Sequence, residues 1–249
     1  MRTVLEPAKD IIKVAVIGDS LALTRPTEGL PVENIYPTKL AMHQNIVVFN
    51  RGKSNADTDY FVEAEQLYHS IRNLECDYYV IHLGICDCSP RIFSKTEKIV
   101  LQLVASLPYI GKLSRAWIGV KSRARMYHTK RRRIQNVTAK NYRTNLLKIL
   151  ETIRESKKVR KVILLNIAAA GPHLTERSYG VAELISQYND VLATVALENK
   201  DIVTVVDVHT YSKSAPERVL PDGHHVDHVT HDYIYKAVYD IICKTEAGL

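Results

Sequence analysis

Short apolar runs alternate with helix-spaced apolar stripes along most of this chain, and that rhythm leaves few architectures open. The runs at residues 13–17, 46–49, 78–83, 162–165 and 202–208 are rich in Val and Ile. Most are nearly continuous, as strands covered on both faces should be. Between them the period changes. Tyr142, Leu146, Ile149, Leu150 and Ile153 fall on one face of a helix. Leu184, Tyr188, Val191, Leu192 and Val195 repeat that spacing, and a last helix turns Ile234, Val238, Ile241 and Ile242 inward. These residues read as core. Strands joined through helices pair in parallel by crossovers, so the expectation is an α/β fold, a three-layer α/β/α sandwich around a five-stranded parallel sheet. A chain of 249 residues with 46% hydrophobic content can bury one sizeable core, and a single domain over 1–249 is expected. The rhythm breaks at 107–138, which reads as a basic insertion or lid within that domain.

In such a sheet, ligands bind beyond the carboxyl ends of the strands. Ser20, the stretches 50–58 and 84–89, and Asn166 each follow a predicted strand and should gather at one edge. Ser20 closes the triplet Gly18-Asp19-Ser20, and about two hundred residues later stands Asp222-Gly223-His224-His225. These two segments hold the parts of a serine hydrolase: a hydroxyl nucleophile, an imidazole that takes its proton and a carboxylate that holds the imidazole. Ser20 is read as the nucleophile, His225 as the base and Asp222 as the orienting acid, since a three-residue turn lets the carboxylate face Nδ1. Alone, Gly-Asp-Ser is also ordinary turn or helix-cap chemistry. His224, His228 and His231 compete for the base, with His231 falling near the start of the next helix. Their spacing matches no metal-ligand pattern, and Cys86-x-Cys88 lacks a second Cys or His pair, so no metal is assigned. The absence of Gly-x-Ser-x-Gly argues against a nucleophile elbow.

These blocks resemble the SGNH (GDSL) hydrolase family, named for Ser, Gly, Asn and His in four separated blocks. The first block is similar to Val16-Ile17-Gly18-Asp19-Ser20-Leu21 and the last to Asp222-Gly223-His224-His225, with His231 six residues on. Asn50-Arg51-Gly52-Lys53-Ser54-Asn55 and Leu83-Gly84-Ile85-Cys86-Asp87 occupy the inner positions and match less well. The resemblance covers most of the chain outside the basic insertion. It implies a flavodoxin-like domain and a serine esterase that works through an acyl-enzyme without a cofactor. In the family a second-block glycine gives a backbone N–H to the oxyanion hole; here that position falls on Asn55, with Gly52 as the other option. Asn tolerates positive φ better than most residues, so the donor can survive the change. The family's third-block asparagine is replaced by Cys86, and a thiol is a weak donor. Losing one oxyanion donor costs on the order of 3 kcal/mol. Arg91 or the Ser54 hydroxyl are the substitutes at hand. Leu21-Ala22-Leu23-Thr24-Arg25 and Asp87-Cys88-Ser89-Pro90-Arg91 look like substrate apparatus. They loosely resemble SGNH proteins that occur with bacterial surface-polysaccharide biosynthesis, which would set Arg25, Asp87 and Arg91 near an anionic or hydroxylated sugar.

The reaction expected is hydrolysis of O-acyl groups, most simply O-acetyl, on a carbohydrate. Acyl transfer to a sugar, and a binding protein with a weakened site, remain as alternatives. The net charge of +7 is concentrated. Lys112, Arg115, Lys121, Arg123, Arg125, Lys130, Arg131, Arg132 and Arg133 crowd one stretch, with Trp117, Ile118 and Val120 among them. An anionic glycan or a membrane surface is the partner such a stretch fits, or else it is a solvated lid; nucleic acid is not expected. Four irregularly spaced cysteines make no disulfide framework. Asp10 and Lys13 interrupt any signal-peptide run, and no apolar stretch is long enough to span a bilayer. A cytoplasmic protein, peripheral to the membrane if the basic stretch docks there, is the expectation.

Overall fold

Every second residue of the central strands points into one of two separate cores. Ala15, Ile17, Tyr79, Ile81, Val162 and Leu164 belong to one cluster; Val14, Val16, Tyr78, Val80, Ile163 and Leu165 belong to the other. That is why the runs read as continuous rather than alternating: both faces are dry, and each fully buried aliphatic side chain contributes about 1.5–3 kcal/mol.

The computed structural model describes residues 11–107 and 110–248. In chain order the main elements are β1 (Ile12–Gly18), α1 (Tyr36–Ala41), β2 (Ile46–Asn50), α2 (Thr58–Phe61), α3 (Ala64–Leu67), β3 (Tyr78–His82) and α4 (Ile85–Cys88). There follow α5 (Lys95–Ala105), α6 (Ile110–Arg123), α7 (Arg125–Arg132), α8 (Ala139–Arg154), β4 (Lys161–Leu165) and α9 (Pro172–Arg177). The chain ends with α10 (Val181–Glu198), β5 (Val203–Val206), α11 (Val208–Ser214) and α12 (His228–Glu246). All strand pairs are parallel, in the order β2-β1-β3-β4-β5. In this doubly wound order the crevice between β1 and β3 is the switch point where ligands bind.

The expected stripes are the buried faces of α8, α10 and α12. Tyr142, Leu146, Ile149, Leu150 and Ile153 are all buried, as are Tyr188, Leu192 and Val195, and Ile234, Val238 and Ile242. Thr138 caps α8 by accepting the Asn141 N–H (3.2 Å), and Asp227 caps α12 through Thr230 N–H (2.9 Å). The fifth strand is shorter than its apolar run. Asp207 turns the chain by accepting the Thr210 N–H (3.0 Å), so Val208 is helical.

The stretch 107–138 lies in the β3-to-β4 crossover and carries α6 and α7. Residues 108 and 109 of the expected insertion lie outside the described residues. Helices α5 and α6 pack on each other, while α7 docks beside α9, where Thr129 Oγ1 accepts the Tyr179 N–H (3.0 Å). Among the described residues no helix is long and apolar enough to cross a membrane.

Candidate active site

The chain leaves β1 at Gly18 and turns at once into a single 3-10 turn, Ser20–Ala22, whose first N–H groups are capped by Asp19: its Oδ1 accepts from Leu21 N–H (2.8 Å). This turn lifts Ser20 to the carboxyl edge of the sheet, where it is 8% exposed. The second segment arrives from the other end of the chain. Gly223 adopts φ +85°, and a Cβ there would lie 2.6 Å from Leu174 N, so the turn needs glycine. It folds Asp222 back on its own block: Oδ1 accepts the N–H groups of His224 (3.1 Å) and His225 (3.0 Å), and Oδ2 faces His225 Nδ1 at 2.5 Å. His225 Nε2 lies 2.8 Å from Ser20 Oγ. The three residues chosen from sequence stand in one hydrogen-bonded line.

Burial pushes the Asp222 carboxyl up, but hydrogen bonds from the His225 ring and backbone and from His224 outweigh it and hold the carboxyl well below the usual range. Asp222 is therefore ionised and fixes the tautomer with hydrogen on Nδ1, leaving Nε2 to accept from Ser20. The imidazoles of His224 and His225 are tilted against each other at 4.2 Å. Asp222, His224 and His225 have donor atoms within 4.8 Å of one another, a spacing that could hold a cation. The close Asp222–His225 hydrogen bond directs their atoms at each other instead. His231 is buried in α12, where its Nδ1 accepts from Tyr36 N–H (3.3 Å) and its ring stacks on Tyr36. It does not reach Ser20.

Asn55 stands beside Ser20 in the left-handed region, φ +60°. Among the described residues neither the Ser20 nor the Asn55 N–H has a backbone or side-chain acceptor. Gly52, the other option, is committed: its N–H donates to Asn50 Oδ1 (2.9 Å), and it does not line the cleft. The loop is fixed from below. Asp87 Oδ1 accepts both the N–H (3.0 Å) and the hydroxyl (2.5 Å) of Thr58, and Asn145 donates to that same hydroxyl (2.9 Å). Asp87 is fully buried, so the expectation that it meets substrate is corrected: it supports the Asn55 loop. Burial raises its carboxyl to about 7.

Cys86 lines the cleft beside Ser20, in the short helix α4 that follows β3. Its thiol lies beside the Asp19 carboxyl, and burial first, then that carboxyl, raise its pKa far above the ordinary value. Asp19 is itself raised to about 7, chiefly by burial, and its Oδ2 has no hydrogen-bond partner among the described residues. The Cys86 carbonyl takes Arg91 Nη2 (3.1 Å) and Asn136 Nδ2 (3.0 Å). Cys88 turns away, its Sγ donating to Ile85 O.

Arg91 lines the cleft as expected, but Arg25 does not. Arg25 is clamped by Glu28 (Nε to Oε2 3.0 Å, with Nη2 to Oε1 as a second contact), and its Nη1 lies 3.2 Å from His225 Nε2. It flanks the imidazole rather than meeting a sugar. The cleft, about 240 Å³, gains residues that sequence reasoning missed: Arg125 from α7, and His173, Leu174 and Arg177 from α9. Arg125 carried a signal, as part of the basic stretch; α9 carried none, being one short helix between strands. Ser54 is exposed and does not line the cleft.

A lipase/acylhydrolase from Enterococcus faecalis aligns over 93% of this chain and 95% of its own, with TM-score 0.61 and 18% identity. Axe2, an acetylxylan esterase from Geobacillus stearothermophilus, aligns over 92% and 93%, with TM-score 0.59 and 16% identity. A member of the lipolytic G-D-S-L family from Veillonella parvula aligns over 94% and 99%, with TM-score 0.57 and 12% identity. This chain shares their fold. No family model matches the sequence, and no curated protein matches it by sequence. At these identities the likeness belongs to the backbone, so chemistry must be argued from the residues of the cleft.

Proposed function

We propose that this protein is a serine esterase of the SGNH type that removes O-acyl groups, most simply O-acetyl, from a carbohydrate. The observation that carries the reading is the continuous line Ser20 Oγ–His225 Nε2–His225 Nδ1–Asp222, at 2.8 and 2.5 Å. Ser20 Oγ attacks the ester carbonyl while His225 takes its proton. The oxyanion forms beside the unoccupied N–H groups of Ser20 and Asn55. His225 then gives the proton to the departing sugar hydroxyl, and a water repeats the sequence on the acyl-enzyme. The carbohydrate in this reading draws support from acetylxylan esterases among the structures of the same fold. The test is hydrolysis of an aryl acetate by the wild type and by Ser20→Ala, with trapping of an acyl-enzyme by a fluorophosphonate. A rate loss of about a thousandfold or more is expected in Ser20→Ala. Equal rates would remove Ser20 from the mechanism.

A second observation bears on location. Helices α5 and α6 expose Ile99, Val100, Leu103, Leu113 and Val120, with Leu113 at 73%, next to Lys112, Arg115, Lys121 and Arg123. Exposed large aliphatic side chains flanked by cationic ones are what a helix lying in a membrane interface presents. Cationic residues beside them match anionic headgroups, so we infer that the α5–α6 hairpin rests on an anionic membrane surface.

A further inference from the structure

The cleft that holds Ser20 is also lined by three arginines from three different elements: Arg91 after α4, Arg125 on α7 and Arg177 at the end of α9. Of the twelve other described arginines, six have a carboxylate within 4 Å, Arg25 with Glu28 among them. Arg72 meets Glu155, Arg132 meets Glu97, Arg143 meets Glu198, Arg154 meets Asp201 and Arg160 meets Glu246. Among the described residues none of the three cleft arginines has a carboxylate within 4 Å.

What holds them is neutral. Arg125 donates to Ser178 Oγ (2.8 Å) and Pro90 O (2.7 Å), and Arg91 to Cys86 O (3.1 Å). Arg177 reaches only the His173 ring, at 3.4 Å. These contacts aim the guanidinium groups without cancelling their charge, and the Arg91 Nε is buried with no acceptor. Burial, with Arg91 and Arg177 nearby, lowers the proton affinity of Arg125. Arg91 and Arg125 are partly buried and Arg177 is exposed at the rim; like charges drawn together without a paired carboxylate oppose folding, and an anion seated among them relieves that cost. Guanidinium forks suit the flat oxygens of a carboxylate or the oxygens of a phosphate.

We propose that Arg91, Arg125 and Arg177 form an anion subsite, so that the substrate of Ser20 is an O-acylated saccharide bearing a carboxylate or phosphate. The saccharide ester in this statement rests on the esterase reading; the anion subsite does not. A neutral O-acetyl sugar would leave all three charges unanswered. Helix α7 thus brings the basic stretch into the cleft wall through Arg125.

Calorimetric titration of the Ser20→Ala protein tests this without any turnover. The probes are an oligogalacturonate for the carboxylate, a hexose phosphate for the phosphate, and a neutral xylo-oligosaccharide. One of the two anionic probes is expected to bind at least about tenfold more tightly than the neutral one, which also tells carboxylate from phosphate. Adding Arg177→Gln or Arg125→Gln should weaken that binding about tenfold, with Arg177→Lys recovering part of the loss. Arg177→Gln is the safer variant, since its side chain supports no neighbouring carbonyl. Arg123→Gln, exposed at the end of α6 and outside the cleft, should bind as its parent does. Equal binding of anionic and neutral probes, or an equal loss in Arg123→Gln, overturns the subsite. Aryl acetate hydrolysis that survives in Ser20→Ala would overturn the esterase reading alone, and the titration would still decide the subsite.

Discussion

Arg25 Nη1 lies 3.2 Å from His225 Nε2, the nitrogen that also faces Ser20 Oγ at 2.8 Å. A guanidinium only donates, so Arg25 competes with the serine hydroxyl for one lone pair. It also places a cation where an imidazolium must form. That repulsion is about 4 kcal/mol at an effective dielectric of 20, and Glu28, together with Asp222 Oδ2 at 3.4 Å from Arg25 Nη2, offsets part of it. The two residues should therefore act in opposite directions. Arg25→Gln is expected to raise kcat on an aryl acetate about three- to tenfold, and Glu28→Gln to lower it by a similar factor. Loss of rate in both variants would assign Arg25 a positive role in the reaction instead.

Cys86 stands in the cleft where a stronger donor would serve the oxyanion better. Cys86→Asn is expected to raise kcat about tenfold with little change in KM, the gain from one restored donor. An unchanged rate would mean that the Asn side chain turns to Asp19 Oδ2 or that the hole is already complete.

Asp19 supplies a pH signature of stability. Its carboxyl is raised to about 7 in the folded chain, chiefly by burial, against about 3.9 when unfolded. Between these values the folded protein holds a proton the unfolded one has released, so this group's contribution falls as pH rises from about 4 to 7. Asp19→Asn keeps the acceptor for Leu21 N–H and carries no charge. Its Tm relative to wild type should therefore be higher at pH 8 than at pH 5, by thermal melts followed in circular dichroism. A difference that is constant with pH would show that Asp19 is charged in both states throughout.

Thr58 links the Asn55 loop to the buried Asp87. Thr58→Val removes the 2.5 Å hydroxyl contact and leaves the carboxyl with one N–H donor. A loss of about 1–3 kcal/mol in urea unfolding is expected, with kcat reduced more than KM is raised. Thr58→Ser should restore both. A stability loss without the kcat effect would confine Asp87 to the core.

The α5–α6 hairpin is tested with vesicles. Co-sedimentation is expected with vesicles containing phosphatidylserine, little with phosphatidylcholine alone, and a loss of at least about tenfold in Leu113→Glu. Binding to neither, or to a soluble acidic polysaccharide in preference, would refute the membrane surface.

Much of this was legible in the chain because two signals are local. Burial on both faces writes itself into the strands as continuous Val and Ile, and the three-residue turn from Asp222 to His225 fixes a carboxylate on an imidazole. The readings that failed were those that depend on where a side chain turns after its backbone is placed. Arg25 follows the nucleophile block, yet Glu28 three residues on captures it. Asp87 precedes the cleft residues but points down to Thr58. Arg177 comes from a six-residue helix with no periodicity to announce it, and only the crossover geometry brings it to Ser20.

Ser20 and His225 are 205 residues apart; α1 is fastened to α12 through Tyr36 with His231 and Lys39 with Asp232, and the turn after α1 through His43 with Tyr235. Chains emerge from ribosomes at roughly 5–20 residues per second. The serine is thus made about ten to forty seconds before the histidine that would arm it. Until the turn from Asp222 to His225 has emerged and docked, the Ser20 hydroxyl has no imidazole beside it.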